Sequence, residues 1–293
     1  SKYSQTNRII IQNNQLGTGD AVIATKNELK SFKGVVVICF ADTPFISKKT
    51  IENLISSIKK GNDIALTSFI KYEKNSYGKI ILSKNNKPLK ITEDKNAKLN
   101  THLCNGGIMA FNSSIMFNLL SKITPDNISK EYYLTKVVEI AYKNALKIDL
   151  IDIDEEEILG VNSKKDLALA EKIIQTKLRH FFLNKGVTLI DPETNYFSYD
   201  TIIQKDVTIF PNVFIGEGVK INSGSSILPF CHLENCYVNK NASIGPFARI
   251  RGNTVLSENA KIGNFVELKN VTSGKEVKIN HLSYIGDTSI GKS

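Results

Sequence analysis

Apolar residues recur every six positions through the last third of the chain, and this period limits the possible folds more than any other feature. A period of six is neither the period of a helix nor the alternation of a strand. It is typical of a hexapeptide β-helix, in which each hexad forms a short strand and a turn and three hexads close one triangular coil. The recurring residues are Ile209, Ile215, Ile221, Ile227, Leu233, Val238, Ile244, Ile250, Leu256, Ile262, Leu268, Ile279, Ile285 and Ile290.

The irregular steps of this series fit the same fold. Two steps, 233 to 238 and 285 to 290, are one residue short, and the gap of eleven resolves as five plus six with Ser273 at the inward position. We therefore predict a parallel β-helix over residues 187–293.

The first half of the chain has a different pattern, in which strand-like and helix-like segments alternate. Residues 35–40 form a continuous apolar run, as in a buried parallel strand. This alternation predicts an α/β domain over residues 1–162, with ligands at the carboxyl ends of its strands. Further strands are predicted at 63–70, 77–82, 89–93, 103–111 and 148–153, and helices at 17–29, 47–61, 113–120 and 131–145. A long helical pattern then predicts a linker helix over 163–186, which would be a rigid connector.

Composition excludes several classes of protein. The 293 residues are 41% hydrophobic and 23% charged, which suits two globular domains and excludes a disordered chain, and no apolar run is long enough for a membrane span. The net charge is +9, and the basic residues are scattered along the chain, which argues against a nucleic-acid-binding surface. The charge indicates either a lysine-rich surface or a field that attracts phosphorylated small molecules. The four cysteines have no metal-ligand spacing, which favours reduced thiols in a cytoplasmic protein. A zinc site at Cys231, His232 and Cys236 is disfavoured, because no further ligands complete a tetrahedron.

Several polar residues are candidates for chemistry, and each also has a structural explanation. Asp42 follows the 35–40 run after one intervening residue, Ala41, and is either a magnesium ligand or a turn cap. Asn162 is either an oxygen ligand or a helix N-cap. The Gly-rich turn after Gln12 brings backbone close to a ligand, or is simple turn geometry. His281 lies on a β-helix coil and is either a catalytic base or a structural histidine.

Together these segments resemble the bifunctional bacterial enzyme N-acetylglucosamine-1-phosphate uridyltransferase / glucosamine-1-phosphate acetyltransferase, along essentially the whole chain. In the first half the matching segments are 15–19 (Gln-Leu-Gly-Thr-Gly), 42–44 (Asp-Thr-Pro), 77–80 (Tyr-Gly-Lys-Ile), 93–95 (Glu-Asp-Lys), 105–108 (Asn-Gly-Gly-Ile), 131–135 (Glu-Tyr-Tyr-Leu-Thr) and 160–162 (Gly-Val-Asn). In the second half they are 244–251 (Ile-Gly-Pro-Phe-Ala-Arg-Ile-Arg), 262–269 (Ile-Gly-Asn-Phe-Val-Glu-Leu-Lys) and 281–287 (His-Leu-Ser-Tyr-Ile-Gly-Asp).

For the first half, the resemblance implies a nucleotidyltransferase of Rossmann-like α/β fold that transfers uridyl from UTP to N-acetylglucosamine 1-phosphate. Mg²⁺ would be held by Asp42 and Asn162. The uracil contacts would be Gln12, Gly17 and Thr18, and the sugar contacts Gly78, Glu93 and Asn105. Phe40 and Ala41 stand where the family usually has Tyr-Gly. Ala41 therefore adds a methyl group where the backbone would run near the nucleotide.

For the second half, the resemblance implies a left-handed β-helix that transfers acetyl from acetyl-CoA to glucosamine 1-phosphate. His281 matches the family's base, Arg251 and Lys269 its phosphate ligands, and Tyr284 a further substrate contact. It also implies a homotrimer with His281 near a subunit boundary, and neither nucleic acid nor membrane as a partner. Two alternatives are a single-function nucleotidyltransferase with a structural β-helix and a non-catalytic trimeric scaffold that binds sugar nucleotides.

The chain departs from the family's pattern at its ends. The family's opening Leu-Ala-Ala-Gly-x-Gly-Thr-Arg loop, which cradles the triphosphate, is not found before Ser1, and its further acetyl-CoA-binding coils are not found after Ser293. The expectation from the resemblance is a fragment in which both active sites are incomplete.

Overall fold

The computed structural model describes residues 8–73, 75–93, 101–126 and 129–292. The chain divides into two compact units, Ser1–Ser163 and Lys164–Ser293. Asp94 and Lys95, two residues of the Glu-Asp-Lys segment, lie outside the described residues.

The first unit is built on a mixed six-stranded sheet. Its strands are β1 (Val35–Ile38), β2 (Ile64–Ile70), β3 (Lys79–Leu82), β4 (Pro88–Thr92), β5 (Leu103–Asn112) and β6 (Ile148–Asp152). Their order is β4-β3-β5-β2-β6, with β1 also beside β5. Strands β2 and β6 pair in parallel, whereas β5 runs antiparallel to β1, β2 and β3.

The interpretation of residues 35–40 as a buried parallel strand is therefore wrong. Strand β1 pairs antiparallel with β5, Val35 opposite Asn112, and its four residues are only half-buried. Val35 and Val37 pack against the cluster that contains Leu54 and Ile58 of the helix at 48–59, while Val36, Val37 and Ile38 border a cavity. A continuous apolar run predicts a strand with apolar side chains on both of its faces, but it does not predict whether the strand pairs in parallel or antiparallel.

The helices of the first unit begin where local capping and long-range pairing allow. They are α1 (Thr18–Ala24), α2 (Lys26–Leu29), α3 (Lys48–Lys59), α4 (Ser113–Leu120) and α5 (Lys136–Lys143), with a 3₁₀ turn at Glu155–Ile158. Ser47 caps α3 by accepting a hydrogen bond from the Thr50 amide at 3.0 Å. Helix α5 begins five residues later than predicted, because the backbone of Tyr132 bonds to the turn at residues 16–19.

The second unit opens with helix α6 (Lys164–Asn184) and continues as a parallel β-helix with three faces of short strands. One face holds β7 (Thr188–Leu189), β10 (Thr208–Ile209), β13 (Ser226–Ile227), β16 (Ser243–Ile244), β19 (Lys261–Ile262) and β21 (Lys278–Ile279). The second holds β8 (Tyr196–Phe197), β11 (Phe214–Ile215), β14 (His232–Leu233) and β17 (Arg249–Arg251), and the third β9 (Ile202–Ile203), β12 (Lys220–Ile221), β15 (Cys236–Val238) and β18 (Thr254–Leu256). The longer strands β20 (Val266–Ser273) and β22 (Ser283–Ile290) continue both of these faces.

The six-residue period predicted this interior correctly. Every predicted inward residue from Ile209 to Ile279 is buried, and Ile285 and Ile290 are partly buried against the same core. Ser273 also points inward, 2% exposed, and its hydroxyl accepts a hydrogen bond from the Ser257 amide at 3.0 Å. The fold class is a mixed α/β domain followed by a parallel β-helix of hexapeptide repeats.

Candidate functional site

The Gly-rich turn of the first unit is held in place by the segment that precedes α5. The Gly19 amide donates to the Tyr132 carbonyl at 2.7 Å, and the Tyr132 amide donates to the Leu16 carbonyl at 2.7 Å. Gly17 has a φ of 110°, and an added Cβ there would lie 2.9 Å from the backbone N and O of Tyr132. Only glycine combines this conformation with this close approach.

Gln12 and Thr18 belong to the same turn. The Gln12 Nε2 donates to the Gly17 carbonyl at 3.2 Å and to Asp20 Oδ2 at 2.7 Å. The Thr18 Oγ1 accepts a hydrogen bond from the Leu134 amide at 3.0 Å. The structure thus brings together the three residues assigned to uracil and adds Asp20, which the sequence analysis did not single out.

A cavity of about 420 Å³ lies between α1 and β1, within the range of about 300–1,000 Å³ that small-molecule sites occupy. Thr18, Cys39 and Phe40 contribute to its wall, together with apolar side chains of both elements. Partial burial raises the pKa of the Cys39 thiol. The Phe40 ring lies over Gly107, where an added Cβ would be 2.9 Å from Phe40 Cε2, and Ala41 is exposed beside it.

Asp42 and Asn162, the predicted magnesium ligands, lie on adjoining backbone segments. The Val161 amide donates to the Asp42 carbonyl at 2.8 Å. A Cβ placed on Gly160 would lie 3.1 Å from Asn162 Nδ2 and 3.5 Å from Asp42 Oδ2, so both side chains approach the same point. Within the described ranges no three His, Cys, Asp or Glu side chains form a ligand cluster. One carboxylate and one amide oxygen fit Mg²⁺, which takes few protein ligands when substrate phosphates supply the others.

The residues assigned to the sugar form a second group in the first unit. The Asn105 amide donates to the Gly78 carbonyl at 2.8 Å. The Glu93 carboxylate lies over Gly78, where an added Cβ would be 2.8 Å from Glu93 Oε2. The Gly107 amide donates to Asn105 Oδ1 at 3.1 Å, and Phe40 covers Gly107. The glycines therefore keep space open beside one carboxylate and one amide.

In the second unit, strand register aligns the predicted phosphate ligands. Arg251 on β17 is the register partner of Lys269 on β20, and Lys269 is the partner of Gly286 on β22. Tyr284 is the register partner of Glu267 and is exposed. Two cations thus occupy successive rungs of one face, with a tyrosine on the next rung.

Glu267 ties this face together, and the sequence analysis did not assign it a role. Arg251 Nε donates to Glu267 Oε1 at 2.7 Å, and this hydrogen bond raises the pKa of the Arg251 guanidinium. Arg249 Nη1 is 3.8 Å from the same oxygen. The sequence does contain a signal for Glu267, since this residue ends the Gly-Asn-Phe-Val-Glu segment that carries the resemblance.

His281 lies in the exposed turn between β21 and β22. The Ser283 hydroxyl donates to the His281 carbonyl at 3.0 Å. This turn continues a corner of the β-helix at which Phe230, Phe247, Phe265 and Leu282 all have left-handed backbone conformations. The structure therefore places His281 two residues before the start of β22, the strand that carries Tyr284.

Comparison with known proteins matches the chain to relatives called bifunctional protein GlmU. The relative from Wolbachia pipientis wMel is 43% identical over 289 residues, which is 97% of this chain and 66% of the relative. The relative from Ruegeria sp. strain TM1040 is 41% identical over 97% of the chain and 64% of its own length, and that from Bartonella bacilliformis 40% identical over 99% and 65%. The chain belongs to the GlmU family. No family model matches it.

GlmU membership agrees with the resemblance found in the sequence motifs, and the chain spans about two thirds of the length of these GlmU relatives. Of the helices in the described part of the chain, none is both long and apolar enough to cross a membrane. Burial raises the pKa of Cys231 to about 11 and of Cys236 to about 12, so both remain protonated thiols at neutral pH.

Proposed function

We propose that the full-length protein catalyses two successive transfers, acetyl from acetyl-CoA to glucosamine 1-phosphate and then uridyl from UTP to N-acetylglucosamine 1-phosphate, with release of pyrophosphate. The observation that carries this proposal is the identity of 37–43% to proteins called bifunctional GlmU, which extends across both units of the chain. The substrates are cytoplasmic metabolites, so we place the protein in the cytoplasm.

The first unit would carry out uridyl transfer. A phosphate oxygen of the sugar phosphate attacks the α-phosphorus of UTP, a new P–O bond forms, and the bond to pyrophosphate breaks. Catalysis of this kind depends mainly on positioning and on neutralising charge. Gln12, Gly17 and Thr18 would orient the uracil. The sugar would be oriented by Gly78, Glu93 and Asn105. The hydrogen bonds that fix both groups before substrate arrives support this assignment.

Asp42 and Asn162 would hold Mg²⁺. When bound, the ion would neutralise charge on the phosphates and on the departing pyrophosphate. The approach of both side chains to one point over Gly160 supports the pairing, and their exposure leaves room for phosphate oxygens. Phe40 and Ala41 would line the neighbouring stretch of the nucleotide site.

The second unit would carry out acetyl transfer. His281 would accept a proton from the amine of glucosamine 1-phosphate as the nitrogen attacks the thioester carbonyl, after which the C–S bond breaks and coenzyme A leaves as the thiolate. Arg251 and Lys269 would bind the sugar phosphate, and Tyr284 would make a further contact. Arg251 and Lys269 are in register on successive rungs, and Tyr284 lies on the next rung two residues before the register partner of Lys269, which supports their action on a single small ligand.

We also propose that the protein is a homotrimer with His281 near a subunit boundary. An exposed apolar column, defined by Phe230, Phe247, Phe265 and Leu282, runs along one corner of the β-helix. Phe230 and Phe247 stack with ring centroids 4.8 Å apart, and Phe247 and Phe265 with centroids 5.2 Å apart. Contiguous exposed apolar surface of this kind is typical of an interface, and His281 directly precedes the last residue of the column.

The decisive experiment uses the protein expressed from its complete gene, with pyrophosphate release and coenzyme A release measured separately. We expect wild type to release both, Asp42→Ala to lose pyrophosphate release alone, and His281→Ala to lose coenzyme A release alone. Wild type that releases only pyrophosphate would instead indicate a single-function nucleotidyltransferase. Binding of sugar nucleotides without either release would indicate a scaffold.

A further inference from the structure

Asp20 fixes the orientation of the Gln12 side-chain amide. The Gln12 Nε2 is 2.7 Å from Asp20 Oδ2 and 3.2 Å from the Gly17 carbonyl oxygen. A carboxylate and a peptide carbonyl can only accept hydrogen bonds, so the amide nitrogen and not the amide oxygen faces them. Both hydrogens of the nitrogen are used in these two bonds. The only group that Gln12 can still offer to a ligand is the acceptor Oε1.

This orientation has a consequence for the choice of base. Uracil carries a hydrogen on N3, which is a donor, whereas cytosine has a lone pair at N3 and is an acceptor there. An amide that presents only its oxygen pairs with the donor of uracil and opposes the acceptor of cytosine. We infer that Asp20 is a positioning residue that selects uridine over cytidine nucleotides by locking Gln12 in its acceptor orientation. This inference rests on the proposed uridyl transfer.

The bond to Asp20 carries most of this orientation. It joins the amide to a charged carboxylate and is 0.5 Å shorter than the bond to Gly17. Without it, the remaining longer bond leaves the amide free to rotate and to present Nε2 to a ligand. Asp20 belongs to helix α1 but is only half-buried, so its replacement does not empty a core position.

The test compares variants that differ in one property at a time, in the protein from the complete gene. Asp20→Ala and Asp20→Leu remove the acceptor; Asp20→Asn removes the charge but keeps an amide oxygen that accepts the same bond. The readout is the ratio of kcat/KM for UTP to kcat/KM for CTP, from pyrophosphate release. Asn13→Ala, a change at an exposed neighbour of Gln12, is the control.

We expect the UTP:CTP ratio to fall roughly tenfold in Asp20→Ala and Asp20→Leu and to stay within about twofold of wild type in Asp20→Asn and Asn13→Ala. A merely structural role would lower turnover of both nucleotides and leave their ratio unchanged, which would overturn the inference. An equal fall in Asp20→Asn would assign the effect to charge and overturn it as well. If wild type uses neither nucleotide, the proposed function fails and the inference with it; if wild type uses both without preference, the inference alone fails.

Discussion

Replacing Arg179 by methionine tests how the β-helix is closed at its first coil. Arg179 lies on α6 with its side chain 6% exposed. Its Nε donates to the Asn195 carbonyl at 3.1 Å, and its Nη2 donates to the Glu193 carbonyl at 3.1 Å. Its Nη1 also donates to Glu193 Oε2 at 3.0 Å, but that carboxylate is 75% exposed. The first coil thus depends on a charged side chain from the preceding helix.

The cost of the substitution follows from these contacts. A charge-assisted hydrogen bond to a carbonyl contributes about 1.5–3 kcal/mol, whereas an exposed ion pair such as that with the Glu193 carboxylate contributes at most about 1 kcal/mol. Methionine retains the apolar stem of arginine, so the packing loss is small. Because Asn195 is fully buried, water does not readily replace the lost donor. We expect Arg179→Met to lower the free energy of unfolding of the second unit by about 3–5 kcal/mol.

The assay is differential scanning calorimetry of the whole chain, supported by hydrogen exchange of the peptides that contain residues 187–197. Arg179→Met is expected to lower the unfolding temperature of the second unit by roughly 10 °C or more and to speed exchange at the first coil. The control Lys172→Met changes an exposed residue of the same helix and should leave both unchanged. A shift of less than about 2 °C for Arg179→Met would refute the reasoning that these bonds close the coil.

Three further outcomes are expected. Maleimide should label Cys39, the one exposed thiol of the four, and because its pKa is raised the labelling should need a higher pH than that of a free cysteine. UTP should slow this reaction if it fills the adjoining cavity. Cys231 and Cys236 should react only after unfolding, and equal labelling of all thiols in the native protein would contradict this. Gly17→Ala should destabilise the first unit by about 2–4 kcal/mol in chemical denaturation. Gly61→Ala should cost only about 1 kcal/mol, because Gly61 also has a positive φ, 94°, but an added Cβ there would meet nothing within 4 Å. Equal costs would exclude a steric role for Tyr132. Phe247→Asp should shift sedimentation toward the monomer while Tyr199→Asp, at an exposed tyrosine outside the apolar column, should not, and an unchanged sedimentation coefficient for Phe247→Asp would remove the column from the interface.

The β-helix could be predicted because its rule is local. Each hexad needs one inward apolar side chain, and this requirement repeats along the sequence with little dependence on the rest of the molecule. Even the inward Ser273 followed from the spacing, since the position and not the residue type sets its direction. Strand direction in the first unit could not be predicted in this way, because the pairing of β1 with β5 joins residues far apart in sequence.

Helix α6 shows where a pattern of apolar residues gives an incomplete account. The sequence assigns its apolar positions to Leu167, Leu169, Ala170, Ile173, Ile174 and Leu178, yet Leu167 and Leu169 are about half exposed. The buried positions include the polar Gln175 and Arg179. Gln175 Nε2 donates to the Phe197 carbonyl at 2.8 Å, and the Phe197 amide donates to Gln175 Oε1 at 2.9 Å.

The physical reason lies in the end of the β-helix. Strand β8 is the first on its face and has a neighbour on only one side, so its outer backbone groups need other partners. The Gln175 amide supplies one donor and one acceptor in the manner of a further strand, and Arg179 supplies donors to the adjoining carbonyls. A helix that covers a sheet edge must therefore bury polar side chains, which a search for apolar periodicity does not detect.

The same reasoning explains why Asp20 and Glu267 were missed while the residues beside them were found. Gln12 and Arg251 were recognised as groups that would touch a substrate, but a ligand-binding side chain must itself be held in one orientation. The acidic partner that holds it is eight residues away for Gln12 and one coil away for Arg251, at distances of 2.7 Å in both cases. A carboxylate that accepts a hydrogen bond from a ligand-binding residue cannot be recognised from a sequence motif, because the fold determines which residue it contacts. Candidate sites are therefore better completed by asking, for each polar ligand-binding group, which acceptor or donor fixes it.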